Sequence, residues 1–324
     1  MSDLLESVNP LLQIDTSFRS YLNAYTRSFQ NHVVGGQLDY AFESDFAVRQ
    51  KIMSLSGWTK LTKAINTTDI SAEAKHLFLK FNQVGPLKHP SIYETVKICA
   101  ARLELNLPIV FVRDDITRPI IYSVASDIIE PCIVISAPLV EMCNAEELQL
   151  LIGCECGRIQ NNHAIYNWAY TYVNNKNAFL PTERSYKFPI GNQIICSLIE
   201  WVKYADITVN RAAIICIDEP GRFLDILCSI YNKGYVDFYG RSLDKANSKY
   251  LIGLYESNRM TSARNLHPNP KLEELERGFL ASSEFLYCNS LFLWRKDLDN
   301  SDLHTVDGEI CDVRSSIILG TGGQ

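Results

Sequence analysis

Residues 145 to 163 read Ala145-Glu146-Glu147-Leu148-Gln149-Leu150-Leu151-Ile152-Gly153-Cys154-Glu155-Cys156-Gly157-Arg158-Ile159-Gln160-Asn161-Asn162-His163, and the fold turns on this stretch. Leu148, Leu151, Ile152, Glu155 and Ile159 recur at the three-and-four spacing of one helical face. Asn144 stands just before it with Glu147 three residues on, a capping-box pattern in which each residue satisfies the other's free backbone N–H. The spacing predicts a central helix over 145–163. On such a helix Cys154 and Cys156 leave the axis about 200° apart, so Cys-Glu-Cys is not a chelating pair. His163, nine residues beyond Cys154, would face about 180° away if the helix ran unbroken.

Working outward, three short β-rich runs precede this helix: Ile109 to Val112, Ile120 to Val124 and Cys132 to Ile135. They are separated by Asp114-Asp115 and by Asp127 to Pro131, which predicts a small sheet. Before them Ile92, Val96, Cys99, Ala100 and Leu103 mark a helix opened by His89-Pro90. After the central helix, a second long helix is expected from Ile194 to Ile217. A third restarts at Asp218-Glu219-Pro220 and finishes before Gly234. Residues 1–88 carry helix-like spacing in pieces, such as Phe18, Tyr21, Leu22 and Tyr25, and later Leu77, Phe78 and Phe81.

Composition narrows the function classes. With 31 basic and 37 acidic residues, a formal charge of -6 and no long run of either sign, the chain is not built as a nonspecific nucleic-acid binder. No apolar run reaches the roughly 18 residues that a membrane span needs. The N-terminus opens Met1-Ser2-Asp3-Leu4-Leu5-Glu6, without the basic and apolar pattern of a secretory leader, and the ten cysteines read as reduced thiols. The expected location on these grounds is cytoplasmic.

The central stretch resembles the active-site helix of the HtpX and CAAX-prenyl-protease family of zinc metallopeptidases, which carries His-Glu-x-x-His. In that motif two histidines one turn apart hold zinc while the glutamate activates a water. Here only Glu155 remains of the motif, at the general-base position. Cys154 and Arg158 stand at the two histidine positions, and Gly157 and His163 match the family pattern. Asp206-Ile207-Thr208-Val209-Asn210-Arg211-Ala212-Ala213 resembles the family's Glu-x-x-x-Asp-Arg-Ala-Gly helix. Asp206 then takes the place of the third zinc ligand, Asn210 that of a ligand-orienting aspartate, and Arg211 that of the adjoining arginine. Leu266-His267-Pro268 is similar to a later His-Pro segment and makes His267 a weak catalytic candidate.

The resemblance implies an α+β, mainly helical, zincin-like domain with a small β-sheet beside the active-site helix. It divides the chain into an N-terminal helical extension (1–88), a metallopeptidase-like domain (89–285) and a C-terminal segment with a flexible tail (286–324). It also implies a degenerate site. Arginine carries no lone pair for zinc, so no metal cofactor is expected, and Cys154, Arg158 and Asp206 are vestigial ligand positions. The expected function is that of an inactive metallopeptidase-like protein binding a peptide or protein partner. In this family substrate adds as a strand along the sheet edge. Two alternatives stay open: a zinc endopeptidase with non-standard ligands, and a thiol-dependent enzyme built on Cys154. Arg158 is expected to fill the vacated centre and pair with Glu155 or Asp206, because buried carboxylates without a cation are costly.

Overall fold

The computed structural model describes residues 33–34, 37–38, 40–126, 129–174, 190–219 and 222–239. His267, the spacing read at Phe18 to Tyr25 and the C-terminal tail lie outside the described residues. A two-stranded ribbon, β1 (Val33–Val34) and β2 (Gln37–Leu38), leads into α1 (Glu43–Ser54). Gly57, in the left-handed region at φ 92°, turns the chain into α2 (Trp58–Ile65), and one wider helical turn, Asn66–Ile70, joins it to α3 (Ser71–Lys80). Proline at the first turn opens α4 (Pro90–Arg102), where its missing N–H costs nothing.

The sheet is three-stranded in the order β3 (Ile109–Arg113), β5 (Ile129–Ser136), β4 (Ile121–Ser126). The central strand β5 runs parallel to β3 and antiparallel to β4, with Val134 opposite both Phe111 and Tyr122. Its residues Cys132, Ile133, Val134 and Ile135 are all fully buried, as a strand covered on both faces requires. The fold is α+β and mainly helical, as expected.

After α5 (Ala137–Met142) comes the central helix α6 (Ala145–Gln160). Its capping box forms as read: Asn144 Oδ1 accepts from Glu147 N at 2.9 Å, and Glu147 Oε2 accepts from Asn144 N at 2.7 Å. The helix stops three residues short of the expected 163. Asn161 Nδ2 donates to the Gly157 carbonyl, Asn162 takes φ 56°, and the chain reverses into α7 (Ala164–Asn174). Then follow the 25-residue α8 (Asn192–Cys216) and α9 (Phe223–Asn232).

What positions the site is the crossing of α6 and α8. A Cβ at Gly157 would meet the Ala212 Cβ at 2.4 Å, and one at Gly153 would meet the Cys216 Cβ at 2.7 Å, so the helices approach almost backbone to backbone. That approach sets Asp206, one and a half turns before Ala212, beside the Arg158 end of α6. Glu147 is pinned from the other side by α9 and the turn after it, through Ser229 Oγ at 2.7 Å and Lys233 Nζ at 2.6 Å. Residues on both sides of position 89 contribute to one hydrophobic core. Among the described residues no helix is long and apolar enough to cross a membrane.

Candidate functional site

Arg158 is buried at the centre of the residues singled out from sequence. Its Nε lies 3.2 Å from Glu155 Oε1, one turn earlier on α6, and its Nη1 donates to the Tyr239 hydroxyl at 3.1 Å. Tyr239 in turn donates to Asn167 Oδ1 on α7. Asp206 and Cys154 lie within electrostatic reach of the same guanidinium. Burial works against the charge of Arg158, but Tyr239, Glu155, Asp206 and Cys154 outweigh it and raise its pKa above the ordinary arginine value. The fold thus gathers Cys154, Glu155, Arg158 and Asp206, which the sequence separates by up to 52 positions, around one cation.

Glu155 is incompletely served. Its Oε2 is buried without a hydrogen-bond partner, and so is Ser123 Oγ, which faces it from β4. Burial pushes the Glu155 carboxyl above the usual range, and Arg158 and Ser123 pull it back without cancelling the shift. Cys156, two residues on, is fully buried beside Cys99 and within electrostatic reach of Glu155 and Cys154, and burial lifts its thiol well above the usual value. Cys154 is only half-buried. The two thiols differ in exposure.

His163 belongs to a second cluster. Its Nε2 lies 2.8 Å from Asp45 Oδ2, and its ring stands edge-on to Trp201 at 5.2 Å. Asp45, on α1, also accepts from Trp201 Nε1 at 2.8 Å, Thr208 Oγ1 at 2.9 Å and Arg49 Nε at 3.1 Å. Burial alone would raise the Asp45 pKa, yet His163, Arg49 and Thr208 bring it well below the usual carboxylate range. Burial lowers the His163 pKa, against the pull of Asp45. The other ring nitrogen, Nδ1, is buried without a hydrogen-bond partner. Arg211, fully buried, donates to the Tyr40 carbonyl at 3.3 Å and lies over the Phe42 ring. Asn210 is half-buried on α8.

Asp45, Trp201, Thr208, Tyr239 and Asn167 did not stand out in the sequence. Asp45 reads as an acid in a first helical turn, which is where surface helices place acids, and Tyr239 follows the last recognisable helix. No local signal separates them from their neighbours.

Zinc does not fit the residues gathered here. Arg158 carries a permanent positive charge and no lone pair, and it already engages Glu155. Among the described residues, no group of three or more His, Cys, Asp or Glu side chains is placed to hold a metal ion.

In sequence, the chain is similar to the plastoglobule-localized metallopeptidase 48, chloroplastic, of Arabidopsis thaliana, at 29% identity over 210 residues. The similarity covers 60% of this chain and 56% of that protein, so the match spans little more than half of the relative's length. No family model matches the chain. No solved structure matches it. The similarity supports a distant relationship to metallopeptidases in the broad sense, coarser than the HtpX and CAAX-prenyl-protease branch named from the motif. It overturns the cytoplasmic expectation: the relative is a chloroplast protein, and the absence of a secretory pattern carried no information about that compartment.

Proposed function

We propose that this chain is a zinc-less, metallopeptidase-like protein, built on the zincin-like plan over residues 89–285, that acts by binding a peptide or protein partner. The observation that carries the reading is the 3.2 Å pair between Arg158 and Glu155. In the His-Glu-x-x-His pattern the metal's charge holds the site's carboxylates together. Here a guanidinium stands within reach of both Glu155 and Asp206 and supplies that charge without a Lewis acid. A glutamate paired with arginine has no metal-bound water to activate.

Metal content tests this. Protein purified without chelator, and again after zinc addition and desalting, is expected to hold less than about a tenth of an equivalent by mass spectrometry. The triple variant Cys154→His, Arg158→His, Asp206→Glu rebuilds the family's ligand set and is expected to take up about one zinc per chain. Near-stoichiometric zinc in the parent would overturn the reading, and a triple variant that folds but takes up no zinc would remove the zincin-like geometry behind it.

A further inference from the structure

Two apolar side chains stand further out of this surface than any other large apolar residue among the described ones: Leu79 is 73% exposed and Leu87 is 100% exposed. Leu87 is held there by structure. Gly85 N donates to the Lys88 carbonyl at 2.8 Å and Lys88 N to that of Gly85 at 3.0 Å, closing a tight turn with Pro86 and Leu87 at its tip. Pro86 and Pro90 stiffen the chain on either side of the tip. The run into the turn is tied to β3, an outer strand of the sheet: Val84 N donates to the Val110 carbonyl at 2.8 Å, and Gln83 bridges Phe111. That bridge is antiparallel, so the turn is carried toward the start of β3, away from Asp114-Asp115 beyond its end. The last turn of α3 rests on the same strand, with the Phe78 ring edge-on to Phe111 at 5.2 Å, and Leu79 beside it faces water.

Charge points the same way. Residues 74–93 hold three of the chain's 31 basic residues, Lys75, Lys80 and Lys88, all exposed, and none of its 37 acidic ones. The acids that flank this stretch in space are already engaged. Glu73 accepts from Arg113 Nη1 and from the Tyr122 hydroxyl, and Asp115 accepts from Arg113 Nη2 and lies 3.6 Å from His76.

We infer that residues 75–88 are a lipid-docking surface, with Leu79 and Leu87 inserting into an anionic bilayer and Lys75, Lys80 and Lys88 meeting its headgroup phosphates. The shape favours lipid as the occupant. A convex tip with a single leucine at its summit offers no groove to a folded partner, whereas a fluid interface closes around it. Lysine stems are long enough to keep the ammonium groups at headgroup level while the leucines go deeper. The formal charge of -6 opposes approach from a distance, but at physiological salt it is screened beyond about 8 Å, and at contact the local lysines decide. Ser123, which faces Glu155, lies on β4, the other outer strand, so docking through the β3 edge leaves that site off the lipid. The inference goes beyond the partner-binding reading and does not depend on zinc.

Flotation of the full chain with vesicles tests it. The parent is expected to float with phosphatidylcholine vesicles containing about 30 mol% phosphatidylglycerol, and to bind pure phosphatidylcholine about tenfold more weakly. Leu87→Glu puts a carboxylate at the tip without touching the core, so its Tm should match the parent's while binding falls about tenfold. Lys80→Gln/Lys88→Gln is expected to weaken binding to the anionic vesicles about tenfold and to leave the weak binding to neutral ones unchanged. Ile199→Glu, at an exposed apolar position on α8, is the control and should float like the parent. If Leu87→Glu lowers Tm, Leu79→Gln carries the test, with a loss of about threefold expected and unchanged binding overturning the inference. A parent that floats with neither vesicle, or a Leu87→Glu variant that floats as the parent does, overturns it as well. A parent that fails to float but self-associates in light scattering, with the self-association lost in Leu87→Glu, gives the tip to a second copy instead.

Discussion

Two carboxylates are buried in this molecule beside an arginine one turn away on the same helix, and they are treated in opposite ways. Asp45 accepts from His163, Trp201, Thr208 and Arg49, and its pKa is driven down. Glu155 has Arg158 on one oxygen and no hydrogen-bond partner on the other, which Ser123 only faces, and its pKa is driven up. The first arrangement ties α1 to α8 and to the turn between α6 and α7, and both oxygens of its carboxylate are met. The second is short of a donor in the place where the resemblance puts a metal-bound water. Burial of charge is tolerable in proportion to how many donors meet it, and by that measure Asp45 belongs to the architecture while Glu155 sits in a site under-supplied with hydrogen bonds.

The sharpest way to break this contrast is Asp45→Ala. It strands four donors in the core and is expected to cost about 3–5 kcal/mol in denaturant unfolding, enough to leave little folded protein. A cost near that of a surface substitution would end the structural reading of the cluster. Arg158→Ala should cost less, about 2–3 kcal/mol, because burial already raises the Glu155 pKa and the carboxyl can take a proton when the cation goes. A variant as stable as the parent would remove the guanidinium from its place at the centre. Gly157→Ala removes no side chain of either cluster but drives a methyl group into Ala212. The expected loss of about 1–3 kcal/mol, read as a lowered Tm, measures how much the helix crossing itself contributes.

The smallest effect is also the most discriminating. Glu155→Gln is expected to change stability by less than about 1 kcal/mol at neutral pH, since it keeps an acceptor for Arg158 and removes a reluctant charge. The pH dependence then runs in opposite directions at the two sites. Asp45 titrates lower folded than unfolded, so its contribution is fully present above the ordinary value of 3.8 and is lost as pH falls toward the folded value; Asp45→Asn should flatten that acid limb. Glu155 titrates higher folded than unfolded, so its contribution is present below 4.5 and is lost as pH rises through the folded value. Glu155→Gln should therefore gain on the parent as pH climbs from 4.5, and chemical denaturation at several pH values checks both slopes.

How much of this was legible beforehand follows the range of the interactions. The capping box at Asn144 and Glu147, the three strands and the long α8 are local patterns, and all are present. The gathering of Cys154, Glu155, Arg158 and Asp206 was legible only through the motif resemblance, because a helix period places three of them together and says nothing about the fourth. The Asp45 cluster was not legible at all. Its bonds to Trp201, His163 and Thr208 span 156, 118 and 163 positions, and nothing in the neighbourhood of Asp45 marks it for the interior. The helix stop at Gln160 was missed because Asn161 acts through its side chain on Gly157, which apolar spacing does not register. The turn at 235–239 carries no periodicity, so its burial could come only from the tertiary structure.

The span of the Asp45 bonds also sets an order of events during synthesis. A ribosome releases α1 more than 140 residues before Trp201 and Thr208, and until they arrive the Asp45 carboxylate keeps its water. The seat of α1 on α8 therefore closes only once the middle of α8 has been made, a pairing of high sequence separation that forms late.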